Sequence, residues 1–488
     1  MKMLVIGMDG AQESTFKRGW TPYIESLIEK GQSLQLKEDL ISRGWAEIMT
    51  GQHAINTGML YEQPIADGTH AWTEKCKLNN IPGIGLSVKP VWDVVSELGF
   101  RVGVMNVPTT YPAPKVDGFF VSGGGGGGPV TQDINMEQCY PKSIKNILSD
   151  DGYIVDERLV SLLSEKKLYK PAQFFSRLQE MNEKRTQSFI DLSKGNNIDF
   201  GFLVYRSTVT AETFLLPQID LFKERKNNLE GCFFEAAESF YRHFDEQVKM
   251  LVNTFPDAKV VLVSDHSMTT RNWSVNSNAF LVDSGFQEKS ASRRGAFDFV
   301  KSFKHWIPHF IRQKMKNNPN IRTAYESMIT FDPKTSRAFS MAFSTGAHGI
   351  YINDKVRFGG PVKFEEKEWL IAEIIRQFNE FPESIKHGFK AHRKPDIKSE
   401  CIDAFPDIIL ELPDGYLTTN EYPDFIKKHS LPDLLYDFTT VEKTGNYCIK
   451  GRQPLAVNVD GPWNVVPTSE SQDLRGVYDH VVSYFNSI

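Results

Sequence analysis

MKMLVIGMDG, residues 1 to 10, and KVVLVSDHSM, residues 259 to 268, end alike: an aliphatic run closes on an acidic residue, Asp9 in one and Asp265 followed by His266 in the other. A strand that is apolar at nearly every position is buried on both faces, as a central parallel strand under helices is. Open α/β sheets hold their ligands at the carboxyl ends of such strands. Two such ends carrying Asp9, Asp265 and His266 therefore point to a metal site. Carboxylate oxygens and an imidazole suit zinc, manganese or another divalent ion better than an electron-transfer metal. Taken singly, Asp9 also reads as a turn or cap carboxylate and His266 as a core imidazole; their conjunction at two strand ends argues for the ion.

Outward from these strands the same pattern repeats. Thr21-Pro22 opens the helix TPYIESLIEKG, with Pro at an early position and Gly31 as its stop. PVWDVVSELGF followed by RVGVMNVP is a helix leading into a strand, and NIDFGFLVY and KVVLVSD are further strands preceded by helical stretches. This alternation predicts an α/β fold with a mostly parallel central sheet and helices on both faces. A length of 488 residues would allow several domains. No repeat or disordered linker divides it, so residues 1–488 read as one catalytic domain with cap insertions at about 125–195 and 272–345.

Two stretches break the pattern. The glycine run Gly123 to Gly128 follows GFFVS at a strand end, and suits either backbone close to a ligand or a flexible surface turn. The basic segment from Arg293 to Lys316 sets Phe299, Phe303, Trp306 and Phe310 at helical spacing, with Pro308 as a break. It reads first as an amphipathic cap helix with a solvated face, and second as a contact for a membrane surface or acidic partner.

With 40% apolar residues, 24% charged residues and a formal net charge of −5, the chain has no general attraction to a nucleic-acid polymer or anionic lipid. An anionic substrate must be drawn by a local positive site. Cys76, Cys139, Cys232, Cys401 and Cys448 are scattered and odd in number, as free thiols in a reducing compartment are. The first strand begins at residue 3, leaving no room for a signal peptide, and no apolar stretch approaches the ~20 residues of a transmembrane segment. A cytoplasmic location is expected.

Eight stretches in order resemble the alkaline phosphatase superfamily, in its type I phosphodiesterase and nucleotide pyrophosphatase branch. They are VIGMDGA, TPYIESLIEKG, GWAEIMTG, VWDVVSELGFRVGVMNVPTTYPAP, VDGFFVSG, VLVSDHSM, GIYIN (349–353) and FPDIILELPDGY (405–416). The resemblance implies an alkaline phosphatase-like α/β fold with caps. It also implies two metal ions about 4 Å apart astride a Ser or Thr nucleophile. Asp9, Asp265 and His266 match the ligands of one ion. The nucleophile's block reads LISRGWAEIMTG: counting back from Trp45 without a gap reaches Ile41, and one deletion reaches Ser42. Ser42 is preferred to Thr50, which matches a helix position, and a helix N-cap is the alternative for Ser42.

The resemblance places the other ion's ligands at Val209, Thr213 and Tyr447, none of which suits a divalent ion, with Glu212 a lone substitute. One divalent ion per chain, zinc or manganese, is therefore expected. Arg43, Arg206, Lys450 and Arg452 are candidates to replace the missing charge around a phosphoryl group, as basic side chains do in the one-metal sulfatases. Each alone also reads as a surface charge. His348, ahead of GIYIN, is a candidate replacement ligand, substrate-binding residue or acid for the leaving group, or a structural residue of a Gly-rich turn. His53 is a weaker candidate, and the histidine found in the family a few residues later is Thr57 here.

Two functions follow. One is hydrolysis of a phosphodiester or related small-molecule phosphate or sulfate ester, with Ser42 as nucleophile beside one ion and Arg43, Arg206, Lys450 and His348 at the substrate. The other is a pseudoenzyme that keeps the fold for binding or regulation.

Overall fold

The computed structural model describes residues 1–61, 63–64, 72–73, 88–124, 133–156, 170–224, 230–288, 331–341, 349–399, 401–419, 423–429, 447–464 and 473–488. His348, the glycines from 125 to 128 and the basic segment 293–316 lie outside the described residues. The chain groups into two compact units. The first is Met1–Met59, Lys75–Asn272 and Ser430–Ile488, and the second is Leu60–Glu74 and Trp273–His429.

The strands are β1 (Met3–Met8), β2 (Gln32–Ser33), β3 (Gln63–Pro64), β4 (Trp72–Thr73), β5 (Val102–Met105), β6 (Gly118–Val121), β7 (Cys139–Tyr140), β8 (Phe200–Tyr205), β9 (Lys259–Val263), β10 (Ser267–Thr270), β11 (Trp273–Val275), β12 (Ala338–Ser340), β13 (Gly349–Ile352), β14 (Lys390–Arg393), β15 (Ile408–Glu411), β16 (Tyr416–Thr418), β17 (Ile426–Lys428), β18 (Cys448–Gly451) and β19 (Ala456–Asn458). The first unit holds an eight-stranded sheet in the order β2-β19-β9-β1-β8-β5-β6-β7. Its centre is parallel: β1 pairs in parallel with both β8 and β9, and β5 with β8 and β6. The outer pairings, β19 with β9 and β2, and β6 with β7, are antiparallel. The expected mostly parallel α/β sheet is present, with antiparallel edges.

Both faces of the centre are covered, which is why β1 and β9 read as unbroken apolar runs. Leu4, Ile6, Met8, Leu203, Tyr205, Val260 and Leu262 face a core built with Ile24, Phe174, Phe214, Phe240 and Phe244. Met3, Val5, Phe200, Phe202, Val261 and Val263 face the opposite core, with Trp45, Trp92 and Phe485. The helix Pro171–Gly195, within the first expected insertion, sends Phe174, Phe175, Leu178 and Phe189 into the first of these cores. Beyond the sheet, β10 and β18 form a short antiparallel ribbon with Met268 opposite Lys450.

The second unit has its own core, in which Val275, Phe280, Ile350, Ile352, Leu370, Ile374, Phe378, Ile408 and Leu410 meet. Its sheets run β12-β13-β15-β14, β16-β11-β17 and β3-β4. Among the described residues no helix is long and apolar enough to cross a membrane.

Candidate metal centre and active site

β1 and β9 deliver their acidic residues side by side because the strands are neighbours in register, Gly7 opposite Val263. Asp9 follows β1 directly, and its N–H donates to Tyr205 O at 2.9 Å. Ser264 ties the two strand ends together: its Oγ accepts from Ala11 N at 3.0 Å and donates to His266 O at 2.6 Å. One ligand atom from each of Asp9, Asp265 and His266 lies within 4.8 Å of the others, and all three residues are buried. Among the described residues this is the only such group of three.

A backbone carbonyl sets the tautomer of His266. Its Nδ1 lies 2.7 Å from Ser267 O, and a carbonyl only accepts, so Nδ1 holds the proton. In the neutral ring the Nε2 lone pair then faces Asp9 Oδ1 at 3.6 Å and Asp265 Oδ2 at 3.5 Å. Burial, with Lys450 adding to it, pushes the imidazole pKa down to about 3, so the ring is neutral. Burial and the charge of Asp9 push the Asp265 carboxyl up. Burial also works against an ionised Asp9, but the charges of Arg206 and Lys450 and the Trp45 N–H outweigh it and leave that carboxyl below its usual range. With all three groups unprotonated, two carboxylates and an imidazole nitrogen would repel one another, and the proton that Asp265 keeps eases this in the absence of an ion. A divalent cation relieves that repulsion, and the donor set fits one.

Cations surround the trio. Arg206 donates from Nε to Asp9 Oδ2 at 3.3 Å and from Nη1 to Asp156. Lys450, carried on β18, is close enough for Asp9 and Asp265 to bear on its charge, yet burial wins and brings its pKa down to about 8. Arg43 is buried, and near enough to Lys450 to lower it further. Trp45 Nε1 donates to Asp9 Oδ2 at 3.1 Å.

Ser42 and Arg43 lie on the turn before the helix Gly44–Thr50. A Cβ on Gly44 would sit 2.0 Å from Asp265 O, so this turn packs directly against the end of β9. Ser42 does not cap the helix that follows it: the N-cap is Arg43, without a side-chain cap bond. Instead Ser42 Oγ accepts from Ala54 N at 3.3 Å. Thr50 Oγ1 donates to Ala46 O at 2.6 Å within the helix, as a helix position implies.

Val209 and Thr213 lie on the helix Ser207–Glu224, where Thr213 Oγ1 donates to Val209 O at 2.7 Å. Val209 Cβ is 2.8 Å from where a Cβ on Gly10 would stand, so hydrocarbon packs beside the residue after Asp9. Glu212 is no free substitute: Arg18 grips it with two bonds of 2.6 and 2.7 Å and Tyr241 donates to it. Arg452 Nη1 donates to Glu38 O at 3.1 Å, and Tyr447 O accepts from Arg271 N at 2.7 Å. Thr57 Oγ1 accepts from Met59 N at 3.2 Å. His53 caps the short helix Ala54–Thr57 and reaches Asp39.

Sequence reasoning passed over Asp156, Asp39 and the indole of Trp45. Asp156 closes GYIVD, another apolar run ending in an acid, which is a readable signal. Asp39 stands two and three residues ahead of the N–H groups of Ile41 and Ser42, the spacing at which a carboxylate folds a turn onto itself. Nothing in the sequence points the indole at Asp9.

A mostly parallel sheet with buried carboxylates and an imidazole at adjoining strand ends agrees with a metal-dependent hydrolase of the alkaline phosphatase superfamily. The chain belongs to the type I phosphodiesterase / nucleotide pyrophosphatase family, whose model matches residues 3–431. It is thus a phosphodiesterase/phosphatase-type hydrolase, in a superfamily that depends on divalent metals. No curated protein matches the sequence. Among solved structures, phosphonoacetate hydrolase from Sinorhizobium meliloti, in complex with phosphonoformate, is 12% identical with a TM-score of 0.54. The match covers 99% of this chain and 96% of that one. Murine ectonucleotide pyrophosphatase / phosphodiesterase 5 is 10% identical with a TM-score of 0.47, over 100% and 95% of the two chains. The alkaline phosphatase PafA is 11% identical with a TM-score of 0.46, over 93% and 90%. At 12% identity the likeness to the phosphonoacetate hydrolase is one of fold.

Proposed function

We propose that the chain hydrolyses a phosphodiester or related small-molecule phosphate ester in a site organised around one divalent ion, with Ser42 as the nucleophile. The observation that carries this reading is the unprotonated Nε2 of His266 facing two carboxylate oxygens, with three cationic side chains close by. Asp9, Asp265 and His266 would hold zinc or manganese. When bound, such an ion supplies Lewis-acid charge that makes a nearby hydroxyl easier to ionise and offsets charge on a phosphoryl oxygen.

The remaining steps belong to the chain's own groups. Ser42 Oγ gives up its proton to water as it attacks phosphorus in line, the bond to the ester oxygen breaks, and the leaving alcohol takes up a proton from solvent. Water then cleaves the seryl phosphate, returning Ser42 and releasing the product. Lys450, Arg206 and Arg43 offer N–H donors to the non-bridging oxygens, where charge builds in the transition state. Arg206 is oriented for this by Asp9 and Asp156, which hold two of its donors. One ion per chain is favoured because Val209, Thr213 and Tyr447 carry no carboxylate or imidazole and Glu212 is bound to Arg18. The same observation favours, as a second reading, a protein that keeps the ion and fold for binding. We read residues 1–488 as one catalytic domain acting in the cytoplasm, with substrate choice set by the segments 125–195 and 272–345.

Purified protein with added manganese or zinc is expected to release p-nitrophenol from bis(p-nitrophenyl) phosphate or the monoester, and Asp265→Ala to abolish that release. Equal turnover by Asp265→Ala would refute the ion's role. No turnover across a broad ester panel, from protein holding about one ion per chain, would favour the binding reading.

A further inference from the structure

Resting on the reading of Ser42 as nucleophile, we propose that Asp39 and His53 are positioning residues that hold the Ser42 oxygen against the backbone N–H of Ala54. Neither residue belongs to the trio Asp9, Asp265 and His266, and both sit on the turns either side of the helix Gly44–Thr50. Asp39 Oδ1 accepts from Ile41 N at 2.8 Å and from Ser42 N at 3.0 Å, while Oδ2 meets His53 Nε2 at 2.9 Å. His53 Nδ1 accepts from Ile55 N at 3.2 Å. The next N–H back along the chain, that of Ala54, reaches Ser42 Oγ at 3.3 Å. Main chain and side chain of Ser42 are therefore tied to one hydrogen-bonded pair.

The turn is costly to form. Leu40, between Asp39 and Ile41, has φ of 60°, a left-handed conformation that a Leu side chain disfavours. The two N–H bonds to Asp39 offset that cost locally. The outcome is an N–H aimed at an oxygen that must become negative as it attacks. Such a bond strengthens as charge develops, and it leaves the hydroxyl's own proton free to depart.

Hydrogen placement in the pair is also fixed. An acceptor at Nδ1 for Ile55 N–H requires the ring proton on Nε2, where it donates to Asp39. Asp39→Asn would set an NH2 group against Nε2. The ring would then have to accept there and carry its proton on Nδ1, in conflict with Ile55 N–H.

The test compares His53→Ala, His53→Gln and Asp39→Asn with the parent, each loaded with manganese, by two readouts. In steady state, His53→Ala and Asp39→Asn are expected to lose at least tenfold in kcat with KM within twofold, unchanged bound metal and a similar Tm. His53→Gln, which keeps a donor for Asp39, should recover part of the loss. In hydrogen exchange read by mass spectrometry, His53→Ala should speed exchange across residues 39–57 and leave residues 259–268 unchanged. Unaltered exchange in 39–57 overturns the inference whether or not the parent turns over. So does a fall in kcat that merely follows lost metal or lowered Tm. Ser42→Ala separates the two claims: parental turnover by that variant removes the nucleophile reading, whereas its inactivity beside a fully active His53→Ala removes only the brace.

Discussion

Trp45 Nε1 and Arg206 Nε both donate to Oδ2 of Asp9, at 3.1 and 3.3 Å, leaving Oδ1 turned to His266. The carboxylate is thus divided: one oxygen is held by the protein and the other faces the ion site. Trp45 can reach it because β1 carries Gly7, where a Cβ would stand 2.7 Å from the indole Cη2.

Trp45→Phe keeps the packing and deletes the donor. Loss of a bond that orients a ligand typically weakens metal affinity by about 10–100-fold. We expect at least tenfold weaker manganese binding by titration calorimetry, with Tm little changed. Unchanged affinity would remove the orienting role of the indole.

Metal uptake should release a proton near neutral pH. Burial and Asp9 raise the Asp265 carboxyl, so in the metal-free site it holds its proton at higher pH than an ordinary aspartate, and an arriving cation displaces it. Calorimetry in two buffers of unequal ionisation enthalpy measures this. Identical heats in both would contradict it.

Gly44→Ala introduces a Cβ where Asp265 O already stands, 2.0 Å away. The contact is with backbone, so either the turn or β9's end must move. Overpacking of this kind costs about 1–3 kcal/mol, and a shift near 1 Å at a reacting group can cost about 100-fold in rate. A lowered Tm with kcat down by about that factor is expected; parental kcat would show that the turn's position against Asp265 is immaterial.

Stability should fall as pH rises. Burial, with the charges of Asp39 and Asp473, lifts the Glu38 carboxyl to about 8, and burial with Glu38 lifts Glu47 well above its usual range. Between the ordinary value of 4.5 and about 8 the folded chain keeps protons that the unfolded chain has lost, so folding weakens with pH across that window. Asp39 sets the acid limb: burial opposes its ionisation, His53 holds it at about 2, and the stability it adds is lost as pH falls from 3.8 to that value. Tm measured from pH 5 to 9 at fixed metal concentration should decline, and less steeply in Glu47→Gln. Parallel slopes would exclude the carboxyl pair as the cause.

The strands and the Asp9, Asp265, His266 trio were legible because each depends on a local pattern, an apolar run ended by a polar residue. Lys450 and Arg206 were named from their neighbourhood in the chain, and both come to the trio's vicinity. The brace was not legible. His53 and Asp39 are ordinary loop residues until the fold sets Nε2 beside Oδ2, and no periodicity encodes that meeting. Glu212 shows the converse. It stands in the chain where a metal ligand would be useful, but Arg18, far away in sequence, holds it.

The ribbon of β10 and β18 makes the site a late product of folding. Ala11 and Ser264, which join the ends of β1 and β9, are 253 residues apart, and Lys450 comes from farther along still. Contacts so distant along the chain are slow to form, since the loops between them must close first. During synthesis β1 gains its neighbours β8 and β9 only once residues 200–205 and 259–263 have been made. A ribosome-bound chain that has emerged only as far as residue 431 thus lacks Lys450, and its acidic pocket remains without that counter-charge until the last strands arrive.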